Sequence, residues 1–211
     1  AGNEDAGSTL SLSSPITGLN SDATVGVDGL SGGTDQEDDA SLRARLISRI
    51  QQPPHGGAKF DYETWAKEVA GVTRAWVYPN ELGLGTVVVR FVRDDDASII
   101  PDAGEVTTVQ DYIDARRPVT ADVTVVAPTA VPLDFTIELT PNTSTVKAAV
   151  QAELEDLLKR EAEPGGTILL SHIREAISIA AGEENYTMSS PSADVTHSTG
   201  EIATMGTITW V

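Results

Sequence analysis

The sequence predicts an α+β fold: two small sheet-plus-helix modules preceded by a short β-rich segment. Three observations predict it. Segments with strand patterning alternate with segments whose apolar residues recur every three or four positions. Their order is strand, strand, helix, strand, then strand, helix, helix, strand, strand, which suits two small layered sheets covered by helices. The chain has 211 residues, 40% of them hydrophobic and 22% charged, enough to bury a core without disulfide or metal staples. Prolines and glycines fall between the periodic segments, at Pro53-Pro54, Pro128 and Pro164-Gly165-Gly166. These signals divide the chain into residues 1–33, 34–127 and 128–211.

Residues 1–33 lack Lys and Arg and are rich in Gly, Ser and Thr. Thr9-Leu10-Ser11-Leu12 and Ala23 to Val27 alternate like short strands, with Pro15, Gly18 and Asn20 supplying turns between them. They read as the end of a module whose remainder lies upstream, and the opening Ala reads as a break within a longer protein. A helix then begins at Thr34-Asp35-Gln36-Glu37, which has capping-box spacing. Asp35, Glu37, Asp38 and Asp39 favour its N-terminus, and Arg43, Arg45 and Arg49 its C-terminal half. Leu42, Leu46, Ile47 and Ile50 form its apolar stripe, and Pro53 stops it. A short helix follows over 61–70, with Asp61 as N-cap and Gly71 as stop.

Strands are predicted over 73–78 and 86–92, the second strongly β-branched at Val87-Val88-Val89, as a buried strand would be. Thr107 or Thr108 is the expected cap of the next helix, which carries Val109, Tyr112 and Ile113 and ends by Pro118. Asp122 to Val126 closes the first unit as a strand. The second unit opens with the alternating Leu133, Phe135, Ile137 and Leu139. Helices follow over 145–162 and 171–181, then closing strands over 186–189 and 204–210. Between the units, Ala127-Pro128-Thr129 and Pro132 suggest a stiff hinge whose angle matters; one continuous core is the alternative.

Charge excludes several functions. Lys plus Arg is 14 and Asp plus Glu is 32, a net charge of −18 that argues against nucleic acid and anionic lipid as partners. With no cysteine there is no thiolate nucleophile and no Cys-based zinc site. No apolar run reaches the ~18 residues that span a bilayer. The histidines, His55, His172 and His197, show no metal-ligand spacing and read as surface or cap residues. Asp35, Glu37, Asp38 and Asp39 lack the ligand alternation of a calcium loop, and Asp94-Asp95-Asp96 reads as a solvated loop. Gly83-Leu84-Gly85 precedes a strand rather than a helix, and Gly165-Gly166-Thr167 lacks a phosphate-loop lysine. Trp65, Trp76 and Trp210 read as core or interface anchors. No catalytic, cofactor-binding or metal-binding residue is assigned, and folding is expected to need no metal.

One pattern rises above this background. Gly29-Leu30-Ser31-Gly32-Gly33-Thr34-Asp35-Gln36-Glu37-Asp38-Asp39 with Leu42-Arg43-Ala44-Arg45-Leu46 resembles the baseplate J-like family of contractile phage tails. The resemblance continues through Pro53-Pro54-His55-Gly56-Gly57, Asp61-Tyr62, Trp65-Ala66, Val69 to Val72 and Ala75-Trp76-Val77. It reappears at Gly83 to Val87, at 128–132, and at the end in Tyr186, Pro191, Ala193-Asp194-Val195, Gly200-Glu201 and Gly206 to Thr209. Members of that family carry a further N-terminal region. The resemblance implies a structural wedge protein of a Mu-type baseplate, assembled around the central hub and spike beside other wedge and sheath-proximal components. It implies location in the tail of a virion or a related injection system, after synthesis in the bacterial cytoplasm, and a part in relaying the trigger for sheath contraction. The family's matching positions define its fold, so no active-site residue is carried over. Alone, the chain is expected as a monomer or weak dimer, because its net charge opposes self-association. The competing readings are an acidic hydrolase-type domain with a dispersed carboxylate site and a secreted adhesin-like module.

Overall fold

Four short sheets and five helices follow one another in a computed structural model of the chain, which describes residues 4–11, 13–14, 20–30, 38–51, 53 and 55–211. They fall into two compact units, Ala1–Pro53 and Pro54–Val211.

In the first unit, β1 (Thr9–Ser11) pairs antiparallel with β2 (Asp22–Thr24), and Glu4 bridges to Leu30. Strand β2 ends at Thr24, short of the predicted Val27, and Leu12 of the first predicted strand lies outside the described residues. Pro15 and Gly18 lie outside the described residues; Asn20 Oδ1 accepts the Asp22 amide at 3.3 Å. Helix α1 is Asp39–Gln51. The proposed capping box at 34–37 also lies outside the described residues. The Asp38 carboxylate accepts the Ser41 amide at 2.6 Å, so this acid serves the helix start.

The second unit opens with α2 (Lys59–Lys67), whose N-cap is Ala58. Asp61 is therefore not the cap. It is the third helical residue, and its carboxylate reaches back to the amides of Gly57 and Ala58 at 2.8 and 2.9 Å. Strands β3 (Arg74–Pro79) and β4 (Thr86–Val92) form an antiparallel hairpin, and β5 (Asp122–Val125) joins β4 in parallel. The parallel pair is connected by α3 (Ala103–Asp114). Asp102 caps α3, in a capping box with Glu105, rather than Thr107 or Thr108. Those two hydroxyls sit one turn inside and donate to the carbonyls of Ala103 and Gly104, a bond that threonine makes within a helix as readily as at its end.

The second module is built on β6 (Thr129–Thr140), the central strand of a sheet ordered β10-β6-β8. Strand β8 is Asn185–Ser190 and runs antiparallel to β6; β10 is Glu201–Trp210 and runs parallel to it. Strand β6 starts before Pro132, which pairs with Thr204. Strand β8 covers β6 only from Thr136 onward, so at Pro132 the strand has a single neighbour and tolerates a residue without an amide donor. Helices α4 (Ser144–Glu161) and α5 (Leu170–Ser178) pack on one face, Thr143 capping α4. Two-residue strands β7 (Thr167–Ile168) and β9 (Val195–Thr196) form a small antiparallel pair that the sequence did not signal. At Gly206 the β10–β6 register shifts; a Cβ there would stand 2.6 Å from the Leu133 carbonyl oxygen, so only glycine fits.

Two cores result. One lies between the β3-β4-β5 sheet and helices α2 and α3: Tyr62, Ala66, Ala75, Val77, Val89, Phe91, Val109, Ile113, Val123 and Val125. The other lies under α4 and α5 and includes Phe135, Ile137, Val150, Leu154, Ile173, Ile177 and Ile202. Val92 of β4 is fully buried within this second core, and Trp76, Ile99 and Ile100 pack against it. The first sheet is thus covered on both faces.

Candidate assembly surfaces and the module junction

The histidines and acids singled out in the sequence hold local structure. The His55 amide donates to Asp61 at 3.1 Å, and its ring stands edge-on to Phe60. His172 Nδ1 lies 2.7 Å from Glu161 Oε2, and that hydrogen bond, with the carboxylate's charge, raises the imidazole pKa above its ordinary value. His197 is buried beside the Gly166 carbonyl, 3.3 Å from Nδ1, with Nε2 left without a hydrogen-bond partner. Among the described residues no three His, Asp or Glu side chains are grouped to hold a metal ion.

The Asp94-Asp95-Asp96 run is not a solvated loop throughout. Asp95 lies 3.4 Å from Lys159, and Asp96 pairs with Arg93. Asp94 is buried, because Arg74 grips it through two nitrogens at 2.8 and 2.6 Å and the Thr73 hydroxyl donates to it at 2.5 Å. Burial alone would raise the Asp94 pKa; the hydrogen bonds from Arg74 and Thr73 outweigh it and hold the value below the usual carboxylate range. Asp61 shows the same balance, burial opposed by the amides of Gly57, Ala58 and His55, with a lowered pKa as the outcome.

The polar side chains concentrate where the two modules meet. Along β3 and β4, the residues facing away from α2 and α3 are Arg74, Trp76, Tyr78, Val88, Arg90 and Val92, one side of the period-two alternation. Besides gripping Asp94, Arg74 donates from Nη1 to the Ala162 carbonyl at 2.7 Å. The Tyr78 hydroxyl donates to the Pro164 carbonyl at 2.7 Å. Burial, with the nearby Glu163 carboxylate, pushes the Tyr78 hydroxyl pKa up to about 12, so it remains a donor at any physiological pH. Arg90 forks onto Glu81 with two bonds of 2.6 Å and stacks over the Tyr78 ring. Gly200 lies against that guanidinium with φ +83°, and a Cβ there would come within 3.0 Å of Nη2. From the sequence, Trp76 reads as a core or interface anchor and Val88 as part of a buried strand, and Arg74, Tyr78 and Arg90 receive no role. Arg90 did carry a signal, as a charge within an otherwise apolar strand.

Two clefts flank α4. One, of about 450 Å³, opens between it and the junction beside Arg74, Asp94, Lys159 and Met205. The other, of about 290 Å³, lies against α5 and is lined by Glu153, Glu161, His172 and Glu175. Of the acids at their walls, Asp94 is held by Arg74, Asp156 by Arg160 and Glu161 by His172. Apolar side chains are exposed on α1, at Leu42, Leu46, Ile47 and Ile50, the last 70% exposed, and in loops, as at Val27, Leu84 and Val119. No helix among the described residues is long and apolar enough to cross a membrane.

Two family models match the chain in succession. Residues 54–127 match the baseplate J-like central domain, and residues 133–211 match the baseplate J-like protein C-terminal domain. The chain is 40% identical over 210 residues to the putative protein JayE of Escherichia coli, covering 99% of this chain and 79% of that one. It is 38% identical over 221 residues to baseplate protein gp47 of Escherichia phage Mu, and 41% identical over 220 residues to the Mu-like prophage FluMu protein gp47 of Haemophilus influenzae. In both cases the whole of this chain is covered, and it spans 61% of the relative's length. The fold is similar to a chain of the anti-feeding prophage baseplate, with a TM-score of 0.58 at 12% identity, over 97% of this chain and 49% of that one. The fold, the two consecutive domain matches and the identity along the full chain lead to one assignment: the chain belongs to the baseplate J-like family.

Proposed function

We propose that the chain is a structural component of a contractile-tail baseplate wedge, assembling around the central hub and spike and helping relay the trigger for sheath contraction. The observation that carries this reading is the 38% identity to the phage Mu baseplate protein along all of this chain, with both family domains in order. The physical character of the molecule supports it. Its buried polar groups fix loops and the module junction, and four apolar side chains of α1 are exposed. Exposed Leu and Ile at helical spacing, flanked by Arg43 and Arg49, suit contact with other wedge, hub or sheath-proximal components. The working location is the tail baseplate of a virion or related particle, after synthesis in the bacterial cytoplasm. Away from its partners the chain is a monomer or weak dimer, since a charge of −18 opposes self-association at low salt.

Deleting the gene in the organism that encodes it, with electron microscopy of the particles produced, tests the proposal. Loss of sheathed tails, restored by the intact gene, is the expected result. Intact, contracting particles from the deletion strain would overturn it.

A further inference from the structure

The connector between the modules is only Val126-Ala127-Pro128, and both of its ends are tied down. The Val126 amide donates to the Val89 carbonyl at 3.0 Å, and the Thr129 amide to the Gly200 carbonyl at 2.9 Å. Each of these bonds stays within its own module, so they shorten the free connector to Ala127-Pro128 and leave the angle to contacts made elsewhere. The opposite face of β3 and β4 meets the second module along a continuous strip: Arg74 on the Ala162 carbonyl, Tyr78 on the Pro164 carbonyl, Arg90 against Gly200, and Val92 within the second core. These contacts fall on two turns of the second module, 162–166 and 197–201. The Gly165 amide bonds the two turns together by donating to the Glu201 carbonyl at 2.8 Å.

We infer that residues 54–211 act as one rigid lever, with the angle between the two family domains set by the Arg74, Tyr78 and Arg90 latch rather than by the proline-bearing connector. The chemistry suits a lock. Arg74 is pre-aimed by its two-pronged grip on Asp94, so little side-chain freedom remains to be lost when it meets the Ala162 carbonyl. That carbonyl belongs to the C-cap of α4, one of the acceptors a helix end leaves unsatisfied. Tyr78 adds a second point four residues along the same strand face, and two points with the apolar strip remove both tilt and twist. A rotation imposed on one domain is delivered to the other undiminished. This inference stands on the junction's geometry and does not depend on what the lever moves.

The chain has no cysteine, so a pair introduced at exposed positions takes spin labels cleanly: Asp111→Cys on α3 and Ser178→Cys on α5. Pulsed electron–electron resonance on the full chain then reads the distance distribution between domains. The lever predicts a single narrow distribution. It stays unchanged in Pro128→Gly/Pro132→Gly and becomes at least twofold wider in Arg74→Gln/Tyr78→Phe, while circular dichroism shows both variants folded. If the latch double variant unfolds, Tyr78→Phe alone, which removes one hydroxyl, supplies the latch arm and must still widen the distribution. A broad distribution in the parent, broadening by the glycine variant, or a latch variant as narrow as the parent would each overturn the inference.

Discussion

The two three-stranded sheets of Pro54–Val211 solve the same problem in different ways. Strand β6 alternates: Leu133, Phe135, Ile137 and Leu139 are buried, while Asp134, Glu138 and Thr140 are exposed. It is covered by helices on one face only. Strand β4 is buried at every position from Val88 to Val92, Arg90 included. An antiparallel edge can leave one face in water, but a strand apolar on both faces must be covered on both. The second cover of β4 is the neighbouring module. A continuous apolar run thus marks a junction, and an arginine within it marks where that junction is fastened.

The largest expected effects break this contrast directly. Aspartate introduced at either Val88 or Val89 should prevent folding, because both faces of β4 are dry. On β6, Ile137→Asp should do the same, whereas Glu138→Lys should change stability by less than about 0.5 kcal/mol. Urea unfolding of the four variants checks this; tolerance of Val88→Asp would mean that the second face of β4 is open. Phe91→Ala and Phe135→Ala, each emptying one core, should cost about 3–5 kcal/mol apiece.

Next comes the Arg90–Glu81 fork. Arg90→Met removes the partner of a half-buried carboxylate and should cost about 1–3 kcal/mol, while Arg90→Met/Glu81→Leu should recover most of that loss. If the double variant is no more stable than the single one, the penalty comes from packing rather than from charge.

Smaller effects follow from pH. The carboxyls of Glu81, Asp94 and Asp61 have lowered folded-state values, through the Arg90 hydrogen bonds for Glu81 and, for the other two, through hydrogen bonds that overcome burial. Their contribution to stability is therefore complete above the unfolded carboxylate values of about 4 and is lost as pH falls through the folded ones. Asp61→Asn should flatten the acid limb of a stability–pH curve, and an unchanged limb would refute this. His172 has the opposite sign. Its raised value gives a contribution present below about pH 6.5 and lost as pH rises through the folded value. Proton-detected titration should place its midpoint above that of a free imidazole, and Glu161→Gln should bring it down. Leu84→Ser, at a loop tip that is 97% exposed, should alter stability by less than about 0.5 kcal/mol.

Much of this architecture was legible in the sequence, for reasons that differ by element. Helix α4 carries a long, clean periodicity that locates it within one residue, whereas β6 begins three residues before its clear alternation at 132–139. The caps were harder. Asp61 and Asp102 each stand near a threonine or glycine pattern that offers an equally good start, and only the backbone path decides which oxygen reaches an amide. Strands β7 and β9 have two residues each, too few to show a period. Asp94 was read as solvent-facing because its neighbours are acids, but its partner Arg74 lies twenty residues earlier and joins it only through the β3–β4 pairing. The same limit hid the junction. Carbonyl acceptors have no sequence signature, so the contacts Arg74 to Ala162 and Tyr78 to Pro164 leave no trace in residue type.

The parallel pairing of β6 with β10 has a consequence for synthesis. Glu201 pairs with Thr129, which precedes it by 72 residues, and Trp210 pairs with Ile137. Both helices and β8 emerge from the ribosome before β10 can take its place beside the central strand. Until then Phe135 and Ile137 lie in a sheet with one side unclosed, and loop-closure entropy must be met before the long-range contacts repay it. Such a module acquires its last strand late. An unfinished chain presents the open edge of β6, the kind of surface that pairs with other strands and that chaperones and proteases recognise. Only a chain that includes β10 closes the second edge of the strand on which the second module is built.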